Sequence, residues 1–195
     1  MSQWYQALFK NFAKNYDNEV FTQGTGEEVD FRCQDARELE FREPFDLAQL
    51  LCEGAFPLME TDEMNFQILK NASSALKPGG KLILTTLNAL FPLFHSVKDF
   101  LNSGSPNGIS EQNTFDLITF RDHSVFTFSD DDGESHTLQC NERYYAPSEI
   151  SWLLSSLGFC NIFICGCEPG QFSRSRSLTP QDFEMLAGGE KTGNL

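Results

Sequence analysis

Three histidines are the side chains in this sequence best suited to proton transfer near neutral pH, because imidazole titrates in that range. His95 follows the end of an apolar, strand-like run, which makes it a candidate general base. His123 and His136 flank a predicted hairpin and are expected to be exposed. Acid–base chemistry is therefore assigned first to His95.

The metal-binding side chains do not have the spacing of a known metal site. The sequence DDDG at residues 130–133 lacks the remaining ligands of a calcium loop and predicts a solvated turn. Cys165 and Cys167 are separated by one residue, which is not zinc-finger spacing, and no histidine is near. The six cysteines are predicted to be free thiols: Cys33, Cys52, Cys140, Cys160, Cys165 and Cys167. Free thiols are typical of a reducing compartment, so the sequence predicts a cytoplasmic protein. The ligand spacing predicts that it holds no metal.

A strand, a helix and a second strand follow one another between residues 45 and 87. The apolar run at residues 47–52, led by Phe45 and Asp46, predicts a buried strand. Thr61 and Asp62 can cap a helix whose apolar residues recur at helical spacing. The sequence KPGG at residues 77–80 is predicted to stop this helix, and residues 81–87 predict the next strand. This order is typical of a parallel sheet in an α/β fold.

The remaining segments predict one domain, residues 1–195, with two additions. An N-terminal helical segment, residues 1–25, contains an amphipathic helix with an aromatic face at residues 4–16. An insertion at residues 89–142 contains strands at 115–121 and 124–128, and a return strand runs over 136–143. A helix beginning at Pro147 and a last strand at 160–165 follow, and residues 188–195 predict a loose tail.

Several of these segments resemble the class I S-adenosylmethionine-dependent methyltransferases. The resemblance rests on four sequence motifs. They are DARELEF at residues 35–41, FD at 45–46, LKPGG at 76–80, and RYYAPSEI at 143–150 followed by a helix ending in GF at 158–159. The resemblance implies a Rossmann-like parallel sheet with an antiparallel C-terminal hairpin, and an insertion on the substrate side. A different doubly wound α/β domain is the alternative, since a helix followed by Pro-Gly-Gly occurs in many of them.

The resemblance also implies a cofactor, S-adenosylmethionine, with S-adenosylhomocysteine as the product. Asp35 and Ala36 would contact the adenine ring, whose amine and ring nitrogen suit a carboxylate and a backbone N–H. The strand-end residues Cys52, Glu53 and Gly54 would face the methionine part of the cofactor. The alternatives are a turn cap for Asp35 and a solvated strand end for Glu53.

Further positions are implied for a small-molecule methyl acceptor. Phe56 follows the central strand, while Arg143 and Tyr145 end the return strand on the acceptor side. The arginine is expected to bind a carboxylate substrate in bidentate fashion, and Glu53 is a second candidate for a catalytic role. Tyr16, on the N-terminal helix, would lie over the cofactor pocket, or its helix only packs on the sheet.

The chain departs from the family before residue 35. The family's first strand and its G-x-G-x-G loop have no counterpart there, and Gly24 and Gly26 are predicted to form a turn. The sequence therefore predicts a sheet truncated at its first strands, with the strand at residues 45–52 at an edge. Unpaired apolar edges favour pairing with another chain, so a homo-oligomer is predicted. A non-catalytic scaffold with this fold is the alternative to an enzyme.

Composition excludes some partners. The formal net charge is −14 and the pI is about 4.5, so the chain repels phosphate backbones and nucleic-acid binding is not expected. The sequence has no apolar run long enough to cross a membrane and no signal-peptide pattern. The 19 phenylalanines predict a bulky aromatic core or an aromatic-lined pocket.

Overall fold

The predicted strand–helix–strand unit forms the start of a mixed sheet. The computed structural model describes residues 34–41, 44–51, 56–95, 114–129, 132–167 and 172–193. The main sheet consists of β1 (Phe45–Leu50), β2 (Leu76–Leu87), β6 (Phe159–Cys167) and β7 (Glu184–Lys191). Its strand order is β1-β2-β7-β6, with β1 parallel to β2 and β7 antiparallel to both of its neighbours. The predicted α/β fold with an antiparallel C-terminal hairpin is confirmed.

The insertion contributes a second sheet. Its antiparallel strands are β3 (Thr114–Asp116), β4 (Arg121–Ser129) and β5 (Ser135–Arg143), in the order β3-β4-β5. β3 is shorter than predicted because the Asp116 carboxylate accepts hydrogen bonds from the N–H groups of Ile118 and Thr119, which starts a turn there. The return strand predicted at residues 136–143 is confirmed as β5.

Two longer helices cover one face of the main sheet. They are α1 (Asp62–Ser74) and α3 (Pro147–Ser156), and a short helix, α2 (Leu90–Phe94), follows β2. Side chains from the sheet and from both longer helices meet in a core of fully buried residues: Phe56, Leu69, Leu82, Leu84, Ile150, Leu154, Met185 and Ala187. No described helix is both long enough and apolar enough to span a lipid bilayer.

The prediction that KPGG at residues 77–80 stops the helix is wrong in its position. α1 already ends at Ser74, and β2 begins at Leu76. The four residues form an irregularity in the β1–β2 ladder, where pairing passes from Phe45↔Leu76 to Leu47↔Lys81. Gly79 has a φ of +80°, and a Cβ on Gly80 would lie 2.9 Å from the carbonyl oxygen of Lys77, so this bend requires both glycines.

Two further expectations about strands are corrected. The prediction of a loose tail from residue 188 is wrong, because residues 188–191 belong to β7, whose residues 185–189 are buried between β2 and β6. β1 is not a fully buried strand, because among the described residues only β2 pairs with it. Phe45 is 44% exposed and Leu47 is 45% exposed, and β1 is the outer strand of the described part of the sheet. The predicted truncation of the sheet stays a prediction.

Candidate functional site

A candidate site is a cavity of about 520 Å³ between α1 and α3, next to the carboxyl end of β2. The first turn of α1 forms one side, and the first turns of α3 form the other. The end of β5 forms the floor, held in place by a bridge between Asn88 and Tyr145. Ligands of open α/β sheets bind at this carboxyl edge, and the volume is typical of a small-molecule site.

The walls of the cavity are aromatic and its rim is acidic. The lining side chains from α1 are Asp62, Glu63 and Phe66, and those from α3 are Ser148, Glu149, Trp152 and Leu153. The two acids of α1 and Glu149 lie in first helical turns, where the helix dipole favours carboxylates. Trp152 is 68% exposed, which is unusual for so large an apolar side chain.

Two buried arginines lie beneath the rim. Arg121 and Arg143 face each other across the β4–β5 ladder and are 6% and 5% exposed. Arg121 Nη2 donates to Asp62 Oδ1 over 2.6 Å, and Arg143 Nε lies 3.3 Å from the same oxygen. Asp62 therefore joins the insertion to the start of α1 through both guanidinium groups.

Every nitrogen of the Arg143 guanidinium contacts a protein acceptor. Nε faces Asp62, Nη2 donates to Glu149 Oε1 over 2.7 Å, and Nη1 donates to the carbonyl oxygen of Tyr144. The guanidinium also lies over the ring of Tyr145, at 4.5 Å from its centroid. A carboxylate substrate at Arg143, as the sequence suggested, would have to displace these partners.

Tyr145 and Phe56 are brought together, and both are buried. Their rings are stacked with centroids 4.9 Å apart, and Phe56 is fully buried while Tyr145 lines the cavity. Burial raises the pKa of the Tyr145 phenol, with the Asp62 carboxylate as a smaller cause, so the phenol is neutral at physiological pH. Tyr145 is 3% exposed, and its ring contacts both Phe56 and the Arg143 guanidinium, so the two aromatic rings form a closed floor beneath the cavity.

Asp35 and Ala36 lie in a turn beside α1. Arg37 Nε and the Arg37 backbone N–H both donate to Asp35 Oδ1 over 2.9 Å, and the side-chain bond from Arg37 is the main cause that lowers the pKa of Asp35. Asn71 Nδ2 donates to the carbonyl oxygen of Ala36 over 3.0 Å. Asp35 therefore acts as a turn cap in this structure, and an adenine amine would share its carboxylate with Arg37.

His95 does not lie with the other candidates. Its Nδ1 is 2.8 Å from the carbonyl oxygen of Phe91, and its Nε2 is 2.9 Å from Gln181 Oε1. The imidazole also stacks on the ring of Phe91, with the centroids 4.2 Å apart. The histidine terminates α2 and is not among the residues that line the cavity. Tyr16, Cys52, Glu53 and Gly54 lie outside the described residues, so their predicted roles stay predictions.

An acidic pair on the insertion sheet was missed in the sequence. Asp122 and Glu142 are directly opposite each other on β4 and β5, and burial raises their pKa values to about 6 and about 7. Oδ1 of Asp122 is buried and has no hydrogen-bond partner among the described residues. Cys140, two residues away on the same face, is also buried, which raises its pKa to about 11 and keeps the thiol protonated.

No protein-family model and no curated protein matches this sequence. Solved structures do match, among them an S-adenosylmethionine-dependent methyltransferase from Clostridium acetobutylicum, with 18% identity, a TM-score of 0.63, and coverage of 93% of this chain and 70% of that one. The CcbJ methyltransferase from Streptomyces caelestis matches with 11% identity and a TM-score of 0.55, over 82% of this chain and 62% of that one. An S-adenosylmethionine-dependent methyltransferase from Methanosarcina mazei matches with 17% identity and a TM-score of 0.50, over 93% and 76% of the two chains.

At these low identities the likeness establishes the fold. The chain spans 62% to 76% of the lengths of the three proteins. The strand order β1-β2-β7-β6, with one parallel pair followed by an antiparallel hairpin, is the arrangement that the motifs at residues 35–41, 76–80 and 143–150 imply. This chain therefore has the fold of the class I S-adenosylmethionine-dependent methyltransferases.

Proposed function

We propose that this protein transfers a methyl group from S-adenosylmethionine to a small molecule. The observation that carries the proposal is the aromatic-walled cavity of about 520 Å³ at the carboxyl edge of a methyltransferase-type sheet. The bound cofactor supplies an electrophilic methyl group on a sulfonium. The residues of this chain have to hold the acceptor in line and exclude water, which needs few strictly catalytic groups.

The described residues can contribute to cofactor binding at one end. The Asp35 side chain is 32% exposed, so its carboxylate has an open side on which an adenine amine can lie beside Arg37. The neighbouring Ala36 lies in the same turn, which Asn71 of α1 fixes in position. Cys52, Glu53, Gly54 and Tyr16 complete the proposed binding residues, with Glu53 and His95 as candidates for proton transfer.

Calorimetric titration with S-adenosylmethionine and S-adenosylhomocysteine tests this function directly. We expect micromolar binding of both ligands, and an Asp35→Asn variant is expected to bind them about tenfold more weakly because it loses the charge on the adenine side. The matched control is Glu40→Gln, which changes an exposed acid nearby. If no heat is released up to millimolar ligand, the methyltransferase proposal is rejected and the non-catalytic scaffold is the remaining function.

A second function, a non-catalytic scaffold that pairs with another copy of the chain, is favoured by the β1 edge. The apolar side chains of Phe45 and Leu47 are almost half exposed there. A groove of about 250 Å³ runs along the same edge and is lined almost entirely by apolar side chains of β1, α1 and residues 36–41. Exposed apolar strand edges pair readily with a second strand, so we propose a homodimer formed through β1.

Light scattering during gel filtration measures this association. We expect a dimer at micromolar concentration and a monomer for Leu47→Lys, because a charge at the edge opposes strand pairing. Ile118→Lys is the control, since Ile118 is 90% exposed in a turn far along the chain from β1. A wild-type chain that elutes as a monomer at high micromolar concentration would contradict the proposed dimer.

A further inference from the structure

The polar groups around the cavity between α1 and α3 do not balance in charge. Asp62, Glu63 and Glu149 contribute three carboxylates, and the cations in contact with them are Arg121 and Arg143. The two arginines are paired with Asp62 and Glu149, so Glu63 keeps a negative charge with no hydrogen bond or ion pair among the described residues. The cavity lining therefore carries one carboxylate that no described side-chain cation pairs with.

The cations of the site are not available to a ligand anion. Arg143 uses all of its nitrogens on protein acceptors, and its guanidinium is covered by the ring of Tyr145. Arg121 donates to the carbonyl oxygen of Met59, to Asn141 and to Asp62. Each carboxylate on the rim further disfavours an anion. An anionic ligand would have to break buried ion pairs, while a cationic ligand would break none.

The walls are suited to the body of such a cation. Phe66 of α1 and Trp152 of α3 line the cavity from its two sides, and the buried ring of Tyr145 closes it without an open face. Aromatic faces attract an ammonium group within about 6 Å, and they stack on flat apolar groups. The exposure of Trp152 at 68% leaves most of its surface for contact with a ligand.

We infer that this cavity binds a small organic cation, with a flat apolar body between Phe66 and Trp152 and an ammonium group at Glu63. If methyl transfer is the function, as proposed above, the methyl acceptor is an amine, and this assignment to the acceptor rests on that function. The binding of a cation by the cavity does not depend on it.

Isothermal calorimetry at low salt with three probes of similar size tests the inference. The probes are 2-phenylethylammonium, 3-phenylpropanoate and the neutral 3-phenylpropanol, each titrated without cofactor. We expect the ammonium probe to bind at least about tenfold more tightly than the carboxylate probe, with the alcohol between them. Glu63→Gln is expected to weaken the ammonium probe about fivefold and to leave the alcohol unchanged.

Three further variants locate the binding. Trp152→Ala is expected to weaken all three probes and Trp152→Phe to retain most of their affinity, because both changes are at an exposed position and only the first removes the aromatic face. The control is Glu40→Gln, an exposed acid on another segment. Equal weakening by the Glu40 and Glu63 variants would show only the general field of a chain with a net charge of −14, and would overturn the inference.

Two other outcomes overturn it as well. Tighter binding of the carboxylate probe would show that the helix N-termini dominate the site. Failure of all probes to bind up to millimolar concentration would show that Glu63 is only a solvated acid in the first turn of α1. Titration of the same preparation with S-adenosylmethionine separates the two proposals. Cofactor binding without amine binding rejects the cation site, and amine binding without cofactor binding rejects methyl transfer and retains the cation site.

Discussion

Replacing Asp62 with asparagine is expected to lower the free energy of unfolding by about 3 kcal/mol, because two buried arginines lose the carboxylate that they share. The substitution keeps the shape of the side chain and removes its charge. Arg143 retains Glu149, whereas Arg121 retains only neutral acceptors among the contacts described above. The Asp62 side chain is 53% exposed, so water screens part of the interaction and the expected loss lies at the lower end for a buried pair.

Urea unfolding of the variant measures this loss. The matched control is Asp46→Asn, which removes an ion pair with Lys77 whose side chains are 85% and 45% exposed, and it should cost less than about 1 kcal/mol. A double variant with Arg121→Met tests the coupling, since removal of both partners should be less costly than the sum of the single changes. Equal effects of the two Asp→Asn changes would mean that Asp62 does not compensate buried charge.

Stability is expected to fall by about 6 kcal/mol between pH 3 and pH 8 through the acidic pair Asp122 and Glu142, with about half of the loss from each carboxyl. Their pKa values in the folded chain are raised to about 6 and about 7, mainly by burial and, for Glu142, also by the charge of Asp122. Below about pH 3 both residues are protonated in the folded and unfolded states, so they contribute no difference. As the pH rises above about 3, the unfolded chain releases these protons first. The loss of stability is complete above about pH 8, where the folded pair is also ionised.

Urea unfolding at pH 4.5, 6 and 7.5 follows this decline. A Glu142→Gln variant should be more stable than the wild type at pH 7.5 and similar at pH 4.5, because the remaining Asp122 no longer faces a second carboxylate. Glu40→Gln, an exposed acid, should show the same decline as the wild type. Parallel declines in the wild type and in Glu142→Gln would exclude the pair as the cause.

The predictable part of the fold was the part encoded in local sequence. The apolar runs and helical spacing between residues 45 and 87 identified β1, α1 and β2, and the motifs near both ends of this unit indicated the sheet type. The ends of these elements were less certain, since KPGG is compatible with a helix stop and with a bulge. Pairing of Phe45 with Leu76 decides between them, and that contact is not local.

β7 could not be identified from its own residues. Its sequence EMLAGGEK has few residues with a preference for strands, and Gly188 and Gly189 are typical of turns. The structure gives the reason for one glycine, since a Cβ on Gly188 would lie 2.4 Å from the carbonyl oxygen of Leu82 and 2.8 Å from the ring of Phe163. The close packing of three strands selects a residue that local preference would exclude.

In the candidate site, sequence motifs pointed to single residues but not to the pairs that form between distant segments. The resemblance implied Arg143 and Tyr145 as acceptor-side residues, and both line the cavity, while their binding of a substrate stays a prediction. The partners of Arg143, and the pair Asp122 and Glu142, depend on the register of β4 and β5 across the hairpin, which a shift of one residue would change completely. His95 was assigned from its distance along the chain, but α2 places its ring against Phe91 and Gln181.

The position of β7 has a consequence for the order of folding. β7 follows the other described strands in sequence, yet it lies between β2 and β6 and separates them. β4 and β5 pair between residues close in sequence, from Ser129 and Ser135 outward. β2 instead pairs with a strand about 100 residues further along, so the main sheet is expected to assemble slowly and late. During synthesis on the ribosome, α1 and α3 could not complete their common core until Met185 and Ala187 of β7 have emerged. The domain is therefore expected to become resistant to proteases in a single late step.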